Sequence, residues 1–234
     1  MGDGSAAPTA RRPAASFAAL SRALVVGNPA MPSVYSGRWV NRGKLRSLPG
    51  AAAEGRWVAG ALGAPVLTDT DATETAVVAR LADAPVIHFA THGLAYSGEE
   101  KARASFVAFA PDARNDGMLT VGEILDDPAL DLSAELVVLS ACQTGLGNLK
   151  QAEGTVGLQR AFLARGARSV LVSLWSVDDA ATRILMERFY THWLGGTRQL
   201  SKGEALRLAQ LDLQRTTAYA HPRYWAAFQI VGAN

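Results

Sequence analysis

The sequence predicts a three-layer α/β sandwich: a sheet of parallel βαβ units with helices on both faces. Three observations carry this. Residues 136–139 (Leu-Val-Val-Leu), 85–90 (Pro-Val-Ile-His-Phe-Ala) and 169–175 are short, mostly apolar runs rich in β-branched residues, as strands covered on both sides must be. Helical periodicities occupy the intervals between them. Those intervals are long enough for the crossovers that parallel neighbours need.

Taken in order, residues 23–29 (Ala-Leu-Val-Val-Gly-Asn-Pro) read as a first buried strand, stopped by the turn formers Gly27, Asn28 and Pro29. Residues 31–50 are rich in Gly, Pro and Arg without a sustained period and are expected to be a surface loop. Residues 51–62 are weakly helical, with Gly63 as C-cap, and 65–67 form a short edge strand. Thr70 or Asp71 is expected to cap the next helix, which carries Ala72, Ala76, Val77, Ala79 and Leu81 and places Glu74 near its positive end. That helix leads to the strand that delivers His92. A further strand is expected over 105–110, and Asp112 to Gly117 has strong turn chemistry. Thr120-Val-Gly-Glu has capping-box spacing and starts a short helix through Leu125.

In the second half, Val156, Leu158, Ala161, Phe162 and Leu163 fall at helical spacing within 152–164, closed by Gly166. A buried strand follows over 169–175. Asp178 or Asp179 caps an amphipathic helix running through Leu194, a last helix spans 202–216, and residues 224–232 supply a closing strand. Residues 2–15 read as a disordered tail. The domain division is therefore 1–20 as tail or chain boundary and 21–234 as a single domain, a size that buries a substantial core.

Composition narrows the function classes. The chain has 234 residues, a formal net charge of +2 and 19% charged residues, without a lysine cluster to serve as a nucleic-acid footprint. No run approaches eighteen apolar residues, so a membrane span is not expected, and the alanine-rich 14–20 stretch is too weakly apolar for a signal-peptide core. A single cysteine forms no intrachain disulfide. The expectation is a cytoplasmic protein.

That cysteine, Cys142, follows the 136–139 strand and opens a Gly-bearing turn, at the carboxyl edge where open α/β sheets hold their chemistry. His92, in Ala-Thr-His-Gly, stands just past the end of its own strand. If the two strands are neighbours, thiol and imidazole meet at one rim, and an imidazole lowers a thiol pKa enough to make a nucleophile. Against this stands the ordinary fate of a lone cysteine as a small buried hydrophobe. His88 lies four residues before His92, about 13 Å away along a strand, and is expected to be a satisfied core histidine. Cys-x-x-Cys, His-Glu-x-x-His, the Gly-Lys-Ser/Thr ending of a phosphate loop and the Gly-x-Ser-x-Gly elbow do not occur, and neither metal nor cofactor is expected.

The His-Gly after one strand and Ser-Ala-Cys-Gln-Thr-Gly after another resemble the caspase-like cysteine peptidases, whose catalytic His also precedes the Cys by about fifty residues. Residues 139–145, 153–163 (Glu-Gly-Thr-Val-Gly-Leu-Gln-Arg-Ala-Phe-Leu), 166–182 and 221–228 resemble more closely the CHAT domain, the bacterial branch of the caspase and separase group, often found behind tetratricopeptide repeats. The resemblance runs from about Leu24 to Gly232. It implies a caspase-hemoglobinase fold with a mostly parallel sheet of about six strands, Cys142 as nucleophile, His92 as base or proton donor, and the N–H groups of Gly93 and Cys142 as oxyanion hole.

Caspase preference for aspartate does not carry over, because the Gln-Ala-Cys opening is Ser-Ala-Cys here. The implied substrate cleft brings in Ser140, Trp175, Asp178 and Asp179, with an aspartate pairing a substrate Lys or Arg; the competing role for either aspartate is a helix N-cap. The expected function is a protein-cleaving cysteine endopeptidase governed by a partner or fused repeat domain. A catalytically silent CHAT scaffold that binds a protein is the alternative, and a small-molecule amidase or acyltransferase a third class.

Overall fold

The computed structural model describes residues 17–36, 40–96, 99–140, 151–175, 177–195 and 200–233. In chain order these form α1 (Phe17–Leu20), β1 (Leu24–Pro29), β2 (Ser33–Ser36), β3 (Val40–Lys44), α2 (Pro49–Leu62), β4 (Val66–Asp69), α3 (Glu74–Leu81), β5 (Val86–Ala90), β6 (Gly93–Leu94), α4 (Glu99–Ala102), β7 (Phe106–Ala108) and β8 (Met118–Thr120). There follow α5 (Val121–Asp126), β9 (Leu136–Leu139), α6 (Gln151–Ala164), β10 (Ser169–Ser173), α7 (Asp179–Leu194), α8 (Lys202–Gln214) and β11 (Phe228–Gly232).

Alternation along the strands builds the layers. The main sheet has the order β11-β10-β9-β5-β1-β4, parallel throughout except for β11, which runs antiparallel to β10. Leu24, Val26, Ile87, Phe89, Val137, Leu139, Val170 and Val172 face one side and pack with residues of α3, α5 and α6. Val25, Val86, Leu136, Val138 and Leu171 face the other and pack with α2, α7 and α8. This is the six-stranded, mostly parallel three-layer sandwich that the sequence leads one to expect. Burying both faces is why the strands read as continuous apolar runs rather than as half-polar ones.

Several local expectations are corrected. The stretch expected as a loop over 31–50 contains the antiparallel hairpin β2–β3, and α2 starts at Pro49. Thr73, not Thr70 or Asp71, caps α3: its side chain accepts the Ala76 N–H at 3.1 Å, while the Asp71 N–H is still closing a turn onto Thr68. The strand expected over 105–110 is β7, and it joins β6 and β8 in a separate three-stranded sheet. Residues 1–16 of the expected tail lie outside the described residues. Phe17–Leu20 forms a helical turn, and Leu20 is buried in the core. The capping box at Thr120 and Glu123 and the left-handed C-cap at Gly63 are as expected.

One polar group ties the α2/α7 layer to the sheet. His88 of β5 is fully buried, with Nε2 2.9 Å from Glu54 Oε1 on α2 and Nδ1 3.1 Å from the Tyr190 hydroxyl on α7. All three are satisfied when the Tyr190 O–H donates to Nδ1 and the Nε2–H to Glu54. The Tyr190 phenol is suited to donate, since burial, and then the Glu54 charge, raise its pKa well above the ordinary value. His88 is thus the satisfied core histidine expected. Removing one partner of such a group leaves the others buried and uncompensated. His88→Ala is expected to lower unfolding stability by about 3–5 kcal/mol, read as a shift of the urea midpoint at constant m-value.

A second buried carboxylate, Glu74 at the first turn of α3, accepts the Gly117 N–H at 3.0 Å and so ties α3 to the entry of β8. Burial, and then the charges of Glu123 and Asp116, raise its pKa from 4.5 to about 7. Between these values the folded chain keeps a proton that the unfolded chain has released. The associated stability is complete below 4.5 and is lost as pH rises through about 7. Glu74→Gln is expected to gain stability relative to the parent as pH is raised from 5 to 8, measured by denaturant titration at each pH.

Candidate active site

The register of the sheet sets the level of the site. Phe89 of β5 stands beside Leu139 of β9, and the Ser140 N–H extends the pairing by donating to the Phe89 carbonyl at 3.2 Å. Counting along the sequence, His92 follows Phe89 by three residues and Cys142 follows Leu139 by three. Both strands end at the same carboxyl rim. Cys142 lies outside the described residues, so the half of the site that the structure describes is the histidine half.

Past β5 the chain bends at Thr91, whose hydroxyl donates to the Ala108 carbonyl at 2.8 Å. His92 is 1% exposed. Its Nε2 lies 2.7 Å from the Arg46 carbonyl oxygen. A carbonyl only accepts, so Nε2 carries the proton, and in the neutral ring Nδ1 carries the lone pair. This orients the ring in the manner of a base held by a third group.

The next peptide is oriented as well. The His92 carbonyl accepts the Ala108 N–H at 2.8 Å, in the ladder between β6 and β7. A trans peptide places its carbonyl and N–H on opposite sides, so the Gly93 N–H points away from β7. An N–H so fixed is a donor of the kind an oxyanion hole requires.

The residues expected to line a substrate cleft have separate placements. Ser140 is buried, with its hydroxyl 3.4 Å from the Phe89 carbonyl, and so faces the sheet backbone. Trp175, two residues past the end of β10, is 37% exposed and donates its indole N–H to the Arg223 carbonyl at 3.1 Å. Asp178 is the N-cap of α7, accepting the Ala181 N–H at 3.0 Å. Asp179 is half-buried and reaches across to α2, accepting the Gly50 N–H at 2.8 Å. A Cβ on Gly50 would overlap that carboxylate.

The Asp179 pKa is raised, chiefly by burial and further by the charges of Glu54 and Asp178; the Gly50 bond and the positive charge of His92 oppose the rise. The Arg46 carbonyl was not legible in the sequence. A backbone acceptor has no side-chain signature, and it sits in the stretch read as loop. Among the described residues no three His, Cys, Asp or Glu side chains gather as a metal site.

Residues 3–233 match the CHAT domain model. The chain belongs to the CHAT domain family. This CHAT domain is 33% identical over 91% of its length to mouse tetratricopeptide repeat protein 28 and 32% identical over 92% of its length to the human protein. It spans only about a tenth of either relative, 10% and 9%. Both relatives are mammalian, which gives no support to the bacterial placement implied by the resemblance. Among solved structures it is similar to gingipain R, an Arg-specific cysteine proteinase, with a TM-score of 0.54 and 7% identity, covering 92% of this chain and 46% of that one. At that identity the likeness shows the fold, which is the caspase-like fold expected.

Proposed function

We propose that this CHAT domain is a cysteine endopeptidase that cuts protein substrates with a His92/Cys142 dyad. The observation that carries the reading is the orientation of His92: Nε2 is bound to the Arg46 carbonyl at the rim where β9 also ends, and the Gly93 N–H is turned away from its own ladder.

In this mechanism His92 Nδ1 takes the proton of the Cys142 thiol, and the sulfur attacks the substrate carbonyl carbon. The oxyanion is held by the N–H groups of Gly93 and Cys142, His92 returns the proton to the departing amine, and water then hydrolyses the thioester. The Arg46 carbonyl stabilises the imidazolium formed between these steps. The chemistry uses no cofactor.

Lys or Arg before the scissile bond fits the acidic pair Asp178 and Asp179 at the start of α7, the second of which is influenced by the charge of His92. Asp179 stays partly open although it holds Gly50. Trp175 offers a partly exposed ring, whereas Ser140 is buried against the Phe89 carbonyl. The neighbour's arginine specificity agrees with this preference. The relatives' names support a fused tetratricopeptide repeat unit as regulator. A cytoplasmic setting belongs to the same proposal, in keeping with a sequence that asks for no disulfide; nucleic acid and membrane are not among the partners proposed.

The same names favour a second reading, a CHAT module that binds protein without cutting it. Iodoacetamide labelling separates the two. An active dyad is expected to alkylate Cys142 at neutral pH at a rate that His92→Ala lowers by about 10²-fold or more. N-terminal proteomics against Cys142→Ala is then expected to show new termini after Lys or Arg. Unchanged labelling in His92→Ala, together with no new termini, would leave the binding module as the function.

A further inference from the structure

Asn28 is the penultimate residue of β1, the strand next to the one that delivers His92, and it adopts a left-handed backbone with φ 50°. Among the described non-glycine residues only Asp69 shares that sign. Asparagine enters this region more readily than most residues, because its short amide bonds locally.

Here the amide reaches a distant segment. Oδ1 accepts the Leu48 N–H at 2.6 Å, and Nδ2 donates to the Ser47 hydroxyl at 3.0 Å. The Leu48 N–H can only donate, which fixes which amide atom is the oxygen. Ser47 and Leu48 are the two residues that follow Arg46, whose carbonyl holds His92.

The start of α2 has no cap of its own. Its N-cap residue is Leu48, which offers no side-chain acceptor, and Pro49 has no N–H. Two side chains from other elements serve instead: Asn28 on Leu48 and Asp179 on Gly50. Beneath them β1 and α2 meet backbone to backbone. A Cβ on Gly27 would lie 2.9 Å from the Ala51 carbonyl, and one on Gly55 2.8 Å from the Gly27 Cα. α2 is thus pressed closely on the end of β1, and the Asn28 amide ties the residues leading into α2 to that strand.

We propose that Asn28 is a positioning residue for His92: by gripping Ser47 and Leu48 it holds the Arg46 carbonyl in place, and so keeps His92 in its Nε2–H form with Nδ1 directed to the chemistry. The inference rests on the peptidase reading for its consequence, but not for its first readout. Arg46 and Asn28 belong to different elements, and only the fold joins them.

The experiment uses the full chain with Asn28→Gly and Asn28→Asp. Glycine keeps the left-handed backbone and loses the amide, whereas aspartate keeps the acceptor for Leu48 and tolerates the same φ. The first readout is the imidazole ¹⁵N spectrum of His92. The parent is expected to show one protonated Nε2 and one lone-pair Nδ1. In Asn28→Gly the two shifts are expected to move toward each other as tautomers mix, and Asn28→Asp is expected to restore them.

The second readout is the pH profile of Cys142 alkylation, expected to fall by about 10-fold at neutral pH in Asn28→Gly, since small misplacements of a reacting group cost up to about 100-fold, and to recover to within about 3-fold in Asn28→Asp. Unchanged ¹⁵N shifts in Asn28→Gly would overturn the proposal, as would slower alkylation without any change at His92. A tautomer change in a chain whose Cys142 is unreactive even in the parent supports the positioning role and counts against the peptidase alone. Should Asn28→Gly lose cooperative unfolding, Ser47→Ala replaces it. It removes the hydroxyl partner only, and must shift the His92 spectrum in the same direction for the proposal to stand.

Discussion

Parallel pairing of β5 with β9, closed on both faces by apolar layers, is the constraint on which the rest of this CHAT domain depends. Val86, Ile87, Phe89 and Leu136 to Leu139 are buried without exception, so their backbone groups have no water and must bond to neighbouring strands. A slip of one residue would turn Ile87 and Phe89 into the α2/α7 layer and send His88 away from Glu54 and Tyr190. The pairing is thus specified by packing on both faces and by a polar group on one of them. Both strand ends are thereby held at a common level.

What happens past those ends is governed by polar groups that find backbone partners. Thr91 bonds to Ala108, the His92 carbonyl accepts from Ala108, and His92 itself bonds to Arg46. Thr91, His92 and Ala108 are buried, and an unmade bond at any of them would cost more than the bond gains on formation. The consequence is a histidine whose ring and following peptide have defined directions in the free protein. For the peptidase function proposed above, a preorganised environment of this sort need not be assembled when a substrate arrives.

Glu54, His88 and Tyr190 support the same region from behind. They link α2, β5 and α7, and both helices also send groups to the rim: α2 through Gly50, α7 through Asp179. The carboxylate that sequence reasoning assigned to a substrate also closes the start of a helix. The two uses are physically compatible, because one oxygen binds Gly50 while the side chain remains half-exposed.

Local chemistry made much of this molecule legible from sequence. Continuous apolar runs identified the central strands, the Thr120 capping box and Gly63 marked helix ends, and Asp178 was already a candidate cap, because each signal depends only on residues a few positions apart. The hairpin over 33–44, the true cap at Thr73 and the separate sheet of β6, β7 and β8 were not legible, since cross-strand pairing and cap choice depend on what packs nearby. The same division holds at the rim. Sequence alone placed His92 and Cys142 each just past a strand end and raised a histidine–thiol pairing on condition that the two strands are neighbours, which the β5–β9 pairing supplies. Only the tertiary structure brought Arg46 to His92, Asp179 to Gly50 and Asn28 to Leu48, because a backbone carbonyl or N–H looks the same in every residue, and its partner is decided by where the chain returns in space.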